Sequence, residues 1–223
     1  IIAGASAYPR KIDWAAFKEI ADAVSSYLLV DMAHYSGLIA AGCYPNPVDY
    51  ADVVTSTTHK TLRGSRGGMI LWNNPRLSRS INSAVFPGVQ GGPLMNQIAG
   101  KTQAFYEASK SEFSQYGENV VSSARLMVEV FNEKNIDVIT GGTDSHIVLV
   151  STGNSTGHDV ANALEKRHGI IVNKNTIPND KRSVLQTSGI RIGTAAEVTR
   201  RGFNVEYFQH IANIIADTIT EGV

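Results

Sequence analysis

The sequence predicts an α/β fold with a mostly parallel sheet, followed by a smaller α+β domain. Three observations lead to this prediction. Short unbroken apolar runs alternate with helical patterns in the first part of the chain, which is typical of parallel strands buried on both faces. After Pro93, no proline and only two glycines occur before about Asn132, so helical spacing dominates there. The remaining residues mix short strand and helix patterns, and we therefore expect domains at residues 1–108 and 109–223.

The elements of the first domain follow from apolar patterning. Residues 1–6 run from apolar to small, which is typical of the end of a buried strand. A helix is expected from 14 to about 24, capped by Asp13, with Ala15, Ile20 and Ala23 on its apolar stripe. Further strands are predicted at 27–30, 53–56 and 68–72. Because a strand at the start of the sequence needs neighbours that the sequence does not contain, we expect a fragment, or one half of a larger fold.

The second part of the chain predicts helices first and a small sheet afterwards. One or two long helices are expected between 93 and about 132. Strands are predicted near 137–139, at 146–150, at 170–172 and at 189–193. A helix at about 158–168 has Thr156 and Asp159 placed as a capping box. A final amphipathic helix is expected at about 205–220.

The composition is that of an ordinary globular protein. The 223 residues include 20 Lys and Arg against 20 Asp and Glu, and 43% are hydrophobic. This balance argues against a general nucleic-acid or membrane-surface binder, which would carry a basic excess. The single Cys43 excludes an intramolecular disulfide framework and a multi-cysteine zinc site, and we expect no metal. No apolar run approaches the roughly 20 residues that cross a bilayer, and we expect no signal peptide.

The densest group of chemically useful residues follows the strand predicted at 53–56. Hydroxyl residues at 55–58 lead into His59 and Lys60, and glycines and arginines follow up to Gly68. Hydroxyls, glycines and backbone N–H groups suit a bound phosphate or another anion. A lysine beside a buried strand end can have a lowered pKa, as a Schiff-base lysine requires. A polar loop with a surface lysine explains this stretch equally well.

A second group begins with Asp31, at the carboxyl end of the strand predicted at 27–30. This is the place where α/β sheets bind ligands. A buried carboxylate there needs a partner, and a protonated heterocyclic nitrogen, as in pyridoxal phosphate enzymes, would be one. A helix cap or an Asp–Arg pair is the alternative. His34 lies three residues further on, at a spacing that could bring it to the same site.

The order of these two groups favours a cofactor enzyme. A strand-terminal Asp31, followed about 30 residues later by a second strand that leads to Lys60, is the order expected in the large domain of a fold-type I pyridoxal phosphate enzyme. Longer motifs then make the sequence resemble serine hydroxymethyltransferase, over its C-terminal half or so. These motifs are Val30-Asp31-Met32-Ala33-His34, Thr57-Thr58-His59-Lys60-Thr61-Leu62-Arg63-Gly64, Asn82-Ser83-Ala84-Val85-Phe86-Pro87-Gly88, Gln90-Gly91-Gly92-Pro93, Val172-Asn173-Lys174-Asn175 and Ser188-Gly189-Ile190-Arg191-Ile192-Gly193-Thr194.

The resemblance implies a fold-type I pyridoxal phosphate-dependent transferase, with residues 1–108 as the C-terminal part of its cofactor-binding large domain. It implies that Lys60 forms the Schiff base with pyridoxal phosphate and that Asp31 pairs with the pyridinium nitrogen. Its other implied cofactor contacts are Ser6 and His34 near the phenolic oxygen, Thr57 and His59 in support of cofactor and lysine, and the backbone of Gly91 and Gly92, which would reach the phosphate of the neighbouring subunit.

For the substrates, the resemblance implies that Arg191 grips the serine carboxylate and that Arg66 is a nearby cation. It places Phe86, Asn175, Ser183, Val184 and Leu185 near tetrahydrofolate. Plain structural alternatives stay open for three positions: an ion-pair role for Arg191, a simple turn at Gly91 and Gly92, and a core position for Phe86.

The sequence also departs from the family pattern. Ser65 stands where the family usually has proline, which should loosen the loop after Lys60. Ser145 replaces an expected asparagine, and the stretch 193–202 lacks the usual proline and is one residue longer. The family's N-terminal half, which is not in this sequence, carries the ring-stacking histidine, most phosphate contacts within the chain, the catalytic glutamate and the tyrosines contributed across the dimer.

The expected function is the conversion of serine and tetrahydrofolate to glycine and 5,10-methylenetetrahydrofolate. The resemblance implies a homodimer or homotetramer with active sites shared across the dimer, and the cytoplasm is the expected location. One alternative is another fold-type I lyase such as a threonine aldolase, from which folate dependence would distinguish it. The other is a non-catalytic fragment, and we expect the isolated chain to lack transferase activity.

Overall fold

The computed structural model describes residues 1–223, which divide into two compact units. Unit 1 comprises residues 1–6 and 12–117, and unit 2 comprises residues 7–11 and 118–223. No helix of the chain is both long enough and apolar enough to cross a membrane.

Unit 1 is built on a four-stranded sheet with the order β1-β2-β3-β4. The strands are β1 (Ile2–Gly4), β2 (Leu29–Asp31), β3 (Val53–Thr57) and β4 (Gly68–Trp72). The first three are parallel, whereas β4 runs antiparallel to β3. The predicted α/β class is confirmed, with a mixed sheet in which only β4 departs from the parallel pattern.

The helices of unit 1 connect and cover these strands. They are α1 (Trp14–Ala23), α2 (Ser36–Ala40), α3 (Pro75–Ser83) and α4 (Met95–Ala108), and an irregular helical turn follows α3 at Ala84–Val89. The core between sheet and helices contains Trp14, Leu28, Val30, Tyr35, Leu38 and Val54. Asp13 caps α1 as predicted, since its side chain accepts a hydrogen bond from Ala16 N.

The predicted apolar stripe of α1 is wrong. Trp14 and Ala21 are the buried positions, whereas Ile20 is 56% exposed and Ala23 is also exposed. The helix therefore turns its tryptophan face toward the core. A large aromatic ring buries more apolar surface than the alternative face of Ala15, Ile20 and Ala23.

Two long helices follow, as expected between residues 93 and 132. They are α4 and α5 (Ser111–Glu133). The expected domain boundary at 108/109 coincides with the end of α4, and the division between the two units falls within α5.

Unit 2 contains a three-stranded antiparallel sheet with the order β5-β7-β6. The strands are β5 (Ile147–Ser151), β6 (Asn173–Asn175) and β7 (Gly189–Gly193), and the remaining helices are α6 (Gly157–His168), α7 (Ala195–Arg201) and α8 (Val205–Glu221). The predicted capping pair of α6 is confirmed, because Thr156 Oγ1 accepts from Asp159 N at 3.1 Å. The core contains Val120, Met127, Phe131, Ile147, Leu164, Ile190 and Ile215.

Two predicted strands of unit 2 are wrong. In place of a strand at 137–139, Val138 forms a single bridge with Val150 and a short 3-10 turn follows at Ile139–Gly141. Thr140 has a φ of +68° there, which no strand adopts. In place of a strand at 170–172, the polar β6 pairs with β7 three residues later, and Ile171 is 81% exposed. Pairing with β7 therefore determines which residues form this strand, although residues 170–172 are more hydrophobic than residues 173–175.

Candidate active site

The carboxyl ends of β1 and β2 form the floor of a cavity of about 340 Å³. In the register of the parallel strands, Asp31 lies between Gly4 on β1 and Thr55 on β3. The cavity is lined by Ile2, Ala3, Gly4, Ala5, Ser6, Asp31, Ala33, His34 and Lys60. Four of the residues singled out in the sequence, Ser6, Asp31, His34 and Lys60, are therefore brought together.

Gly4 is required by the close approach of β1 and β2 at this edge. Its φ is +151°, and an added Cβ would lie 2.5 Å from the carbonyl oxygen of Asp31. Any side chain at position 4 would collide with backbone, so the floor of the cavity depends on a glycine here.

Asp31 is exposed in the structure. Its Oδ1 accepts a hydrogen bond from Ala33 N at 3.0 Å, which orients the carboxylate at the end of β2. No hydrogen bond of the structure engages Oδ2. That oxygen is available to a protonated partner in the cavity.

Lys60 lies on the connection between β3 and β4, and its amine donates to Thr57 Oγ1 at 3.2 Å. The connection is closed at its base, because Thr58 N donates to Gly67 O at 3.0 Å. Thr58 Oγ1 also donates to Ser65 O at 2.7 Å. We call residues 58–67 the lysine turn.

Ser65 is tied down in this turn. Its hydroxyl donates to Gln97 O on α4 at 2.8 Å. Ser65, which replaces the family's proline, therefore connects the lysine turn to α4 by a side-chain hydrogen bond. Proline has no side-chain donor and could not form this bond.

Thr61 joins the lysine turn to the segment after Asp31, a role that the sequence analysis missed. Its Oγ1 accepts from Gly37 N at 2.9 Å and donates to His34 O at 2.9 Å. Gly37 packs so tightly that an added Cβ would lie 2.1 Å from Thr61 O. A threonine next to the lysine was the only indication of this role in the sequence. Its hydrogen-bond partners could not be predicted, because they lie 24 and 27 residues away.

An aromatic pair supports the lysine turn from α5. The Arg63 guanidinium lies 4.2 Å from the ring centroid of Tyr116 and 5.2 Å from that of Phe113. Tyr116 Oη donates to Thr61 O at 3.1 Å. The cation–π contact and this hydrogen bond connect the turn to α5.

The environment of His59 favours its neutral form. Burial lowers the pKa of its imidazole, and the positive charges of Arg66 and Lys60 lower it further. Its Nδ1 is buried and has no hydrogen-bond partner within the chain. Near neutral pH the ring is therefore uncharged and has an unused nitrogen.

Four other predicted site residues lie on a separate groove of about 1050 Å³ in unit 1, namely Arg66, Phe86, Gly91 and Gly92. Phe86 is 63% exposed, so its alternative role as a core residue is wrong. Gly91 and Gly92 are exposed and precede α4. None of these four lines the Lys60 cavity.

The remaining predicted residues lie in unit 2. Arg191 occupies the middle of β7, paired with Leu149 on β5 and Asn173 on β6. Asn175 ends β6 opposite Gly189. Ser183, Val184 and Leu185 are exposed in the segment between β6 and β7. No group of three or more His, Cys, Asp or Glu side chains is placed to hold a metal ion.

The model of the serine hydroxymethyltransferase family matches residues 1–215. The chain belongs to this family. Serine hydroxymethyltransferases are pyridoxal phosphate-dependent enzymes of fold-type I, and the α/β architecture of unit 1 agrees with that fold.

Curated serine hydroxymethyltransferases resemble the chain over almost all of its length. The protein of Wolbachia pipientis from Culex pipiens is 55% identical over 98% of this chain and 52% of its own length. That of Dichelobacter nodosus is 54% identical over 99% and 53%, and that of Limosilactobacillus reuteri 55% identical over 99% and 54%. The chain spans about half the length of the curated relatives it matches.

Proposed function

We propose that the protein is a pyridoxal phosphate-dependent serine hydroxymethyltransferase, which converts serine and tetrahydrofolate to glycine and 5,10-methylenetetrahydrofolate. The observation that carries the proposal is the convergence of Ser6, Asp31, His34 and Lys60 on one cavity. An amine, a carboxylate, a hydroxyl and an imidazole at the carboxyl ends of parallel strands suit a phosphorylated heterocyclic cofactor.

The residues present fit this cofactor. Lys60 would bind it covalently through Nζ, which the Thr57 hydroxyl orients. Asp31 Oδ2 would accept a hydrogen bond from the protonated ring nitrogen, since Ala33 N engages Oδ1. Ser6 and His34 would face its phenolic oxygen from the cavity wall.

When bound, pyridoxal phosphate supplies an electron sink for cleavage of the Cα–Cβ bond of serine. The negative charge of Asp31 would favour the protonated form of the ring nitrogen and so strengthen that sink. His59, whose Nδ1 has no hydrogen-bond partner within the chain, would support the cofactor and Lys60. The planar guanidinium of Arg191 would bind the substrate carboxylate through two parallel hydrogen bonds.

The other proposed contacts concern folate and the neighbouring subunit. Phe86, Asn175, Ser183, Val184 and Leu185 would contact tetrahydrofolate, and Arg66 would be a cation near the site. Gly91 and Gly92 would donate backbone N–H groups to the cofactor phosphate of the neighbouring subunit. Both glycines are exposed and neither lines the Lys60 cavity, which supports this assignment and with it a homodimer or homotetramer with shared sites.

Residues 1–108 are proposed as the C-terminal part of the cofactor-binding large domain and residues 109–223 as the small domain. The end of α4 at Ala108 supports this boundary. The location in the cytoplasm stays a prediction.

The proposal is tested by trapping the cofactor. The protein expressed from its own gene should show a visible absorption band with pyridoxal phosphate, and borohydride should fix the cofactor to the peptide that contains Lys60. Lys60→Ala should abolish the band and the labelled peptide, whereas the matched change Lys166→Ala, on the exposed face of α6, should keep both.

A second measurement separates the transferase from a lyase. Serine cleavage should depend on added tetrahydrofolate. Cofactor labelling at another lysine would contradict the assignment of Lys60, and folate-independent serine cleavage at full rate would favour an aldolase.

A further inference from the structure

The segment that joins β6 to β7 is organised around one carboxylate. We call residues 176–188 the β6–β7 loop. Asp180 Oδ1 accepts from Ser188 Oγ at 2.6 Å and from Arg182 N at 2.9 Å, and Oδ2 accepts from Ser188 N at 2.8 Å and from Ile177 N at 3.3 Å. Because Ile177 and Ser188 stand at opposite ends of the loop, a single side chain closes it.

Two cations fasten the same loop to the rest of unit 2. The Arg182 guanidinium donates to the carbonyl oxygens of Ser155 at 2.6 Å, Asn154 at 2.8 Å and Gly153 at 3.3 Å. Lys174 Nζ donates to Leu185 O at 2.6 Å. These are charge-assisted hydrogen bonds to backbone, so they fix the path of the chain as well as its side chains.

The loop also contains backbone strain that these bonds hold in place. Asn179 and Thr187 have φ angles of +59° and +60°. This region is unfavourable for a β-branched residue, and Thr187 is only 2% exposed. Strained conformations persist where surrounding contacts over-determine them, and they cluster at functional sites.

The fastened loop presents an apolar tip. Val184 is 74% exposed and Leu185 is 72% exposed, although the backbone beside them is fixed by Lys174 and Arg182. Exposed aliphatic side chains on a rigid backbone make a preformed contact surface, because little conformational entropy is lost when a ligand covers them.

We propose that Asp180 is a positioning residue for the folate co-substrate, which holds the β6–β7 loop so that Val184 and Leu185 form a rigid wall against the apolar and aromatic part of the folate. The inference rests on the proposed function. The resemblance already places Val184 and Leu185 near tetrahydrofolate, and the new element is the role of Asp180 in holding them.

The ionisation of Asp180 agrees with a positioning role. The hydrogen bond from the Ser188 hydroxyl, followed by that from Arg182 N, lowers the pKa of this carboxyl to about 2. The carboxylate therefore keeps its charge throughout the range in which the enzyme would work, and it neither takes up nor releases protons during turnover.

The test is steady-state kinetics on the protein expressed from its own gene. Asp180→Asn keeps the size of the side chain but turns one acceptor oxygen into a donor. We expect the KM for tetrahydrofolate to rise about tenfold, while kcat and the KM for serine change by less than about twofold. The shape of the pH–kcat profile should be unchanged, since the Asp180 carboxyl stays ionised throughout the working range.

Two further variants complete the design. Leu185→Ala, which removes part of the apolar tip without touching the Asp180 hydrogen bonds, should raise the KM for tetrahydrofolate in the same direction. It also serves if Asp180→Asn does not fold. Asp137→Asn, the same change at an exposed position of unit 2, should leave all constants unchanged.

The outcomes separate the inference from the proposed function. Absence of folate-dependent serine cleavage in the unmodified protein would overturn the proposed function. An active unmodified protein whose Asp180→Asn and Leu185→Ala variants keep the KM for tetrahydrofolate would overturn the inference alone. An equal rise in both KM values would also overturn it, because the loop would then act through the general fold.

Discussion

The lysine turn and the β6–β7 loop are both polar connections between antiparallel strands, but they are held in opposite ways. The lysine turn rests on buried groups: Thr61 is 1% exposed, and Gly37 leaves no room for a side chain. The β6–β7 loop is held by ionised side chains near the surface, chiefly Asp180 and Arg182. Under the proposed roles, the covalent anchor of a cofactor would need fixed packing, whereas a contact surface for a co-substrate that binds and leaves could depend on hydrogen bonds at the surface.

This comparison predicts that the lysine turn is most sensitive to volume. In Gly37→Ala, the new Cβ would meet the backbone of Thr61, which cannot move without shifting Lys60. We expect the free energy of unfolding to fall by about 3 kcal/mol, measured by urea denaturation. Gly193→Ala, where no atom lies within 4 Å of the added Cβ, should change it by under about 0.5 kcal/mol. If both variants lost the same free energy of unfolding, the lysine turn would not be specially sensitive to added volume.

The next largest effect is expected at the hydroxyl that joins the turn to the Asp31 segment. Thr61→Val keeps the shape but leaves Gly37 N and His34 O without this partner. Because Gly37 N is buried and His34 O is partly buried, the free energy of unfolding should fall by about 2 kcal/mol. Thr102→Val, at an exposed helical position, is the matched control and should cost little. A small effect at Thr61 would mean that water replaces the hydroxyl.

The stability that the β6–β7 loop contributes should depend on pH through Asp180. Asp180 has a folded-state pKa lowered from 3.8 to about 2, so its contribution to stability is present above pH 3.8 and is lost as the pH falls toward 2. The difference in unfolding free energy between the unmodified protein and Asp180→Asn should therefore shrink over that window. Denaturation curves at stepwise lower pH measure it, and a constant difference would show that the charge contributes nothing.

The smallest effect is expected where a surface cation supports the lysine turn. Arg63→Gln removes the guanidinium from the rings of Tyr116 and Phe113 and should cost about 0.5 kcal/mol. Arg76→Gln on exposed α3 gives the baseline for losing a surface arginine. If both variants unfold at the same urea concentration, the ring contact has no measurable weight.

Local patterns predicted most of the elements, since capping side chains and apolar runs carry their own signals. Asp13 and Thr156 begin α1 and α6 as expected. The strand at 170–172 could not be predicted correctly, because pairing with β7 selects the polar residues of β6 instead. The α1 stripe failed for a similar reason, since Trp14 decides which face packs inward.

The convergence of Asp31 and Lys60 was predictable from the rule that parallel strands end at the same edge of a sheet. The parts of the site that depend on distant hydrogen bonds were not. Thr61 contacts residues 24 and 27 positions away, and Asp180 bonds both ends of a loop. The spacing of polar residues along the sequence does not indicate these hydrogen bonds, because they join residues that only folding brings together.

The closed base of the lysine turn has a consequence for turnover. Thr58 N is bonded to Gly67 O, and β3 is paired with β4 along five residues. These bonds restrict movement of the backbone at Lys60. Under the proposed function, the Lys60 amine would move away from the cofactor and return by rotation about its own side-chain bonds. Such rotations take picoseconds to nanoseconds, so this movement would need no opening of the turn.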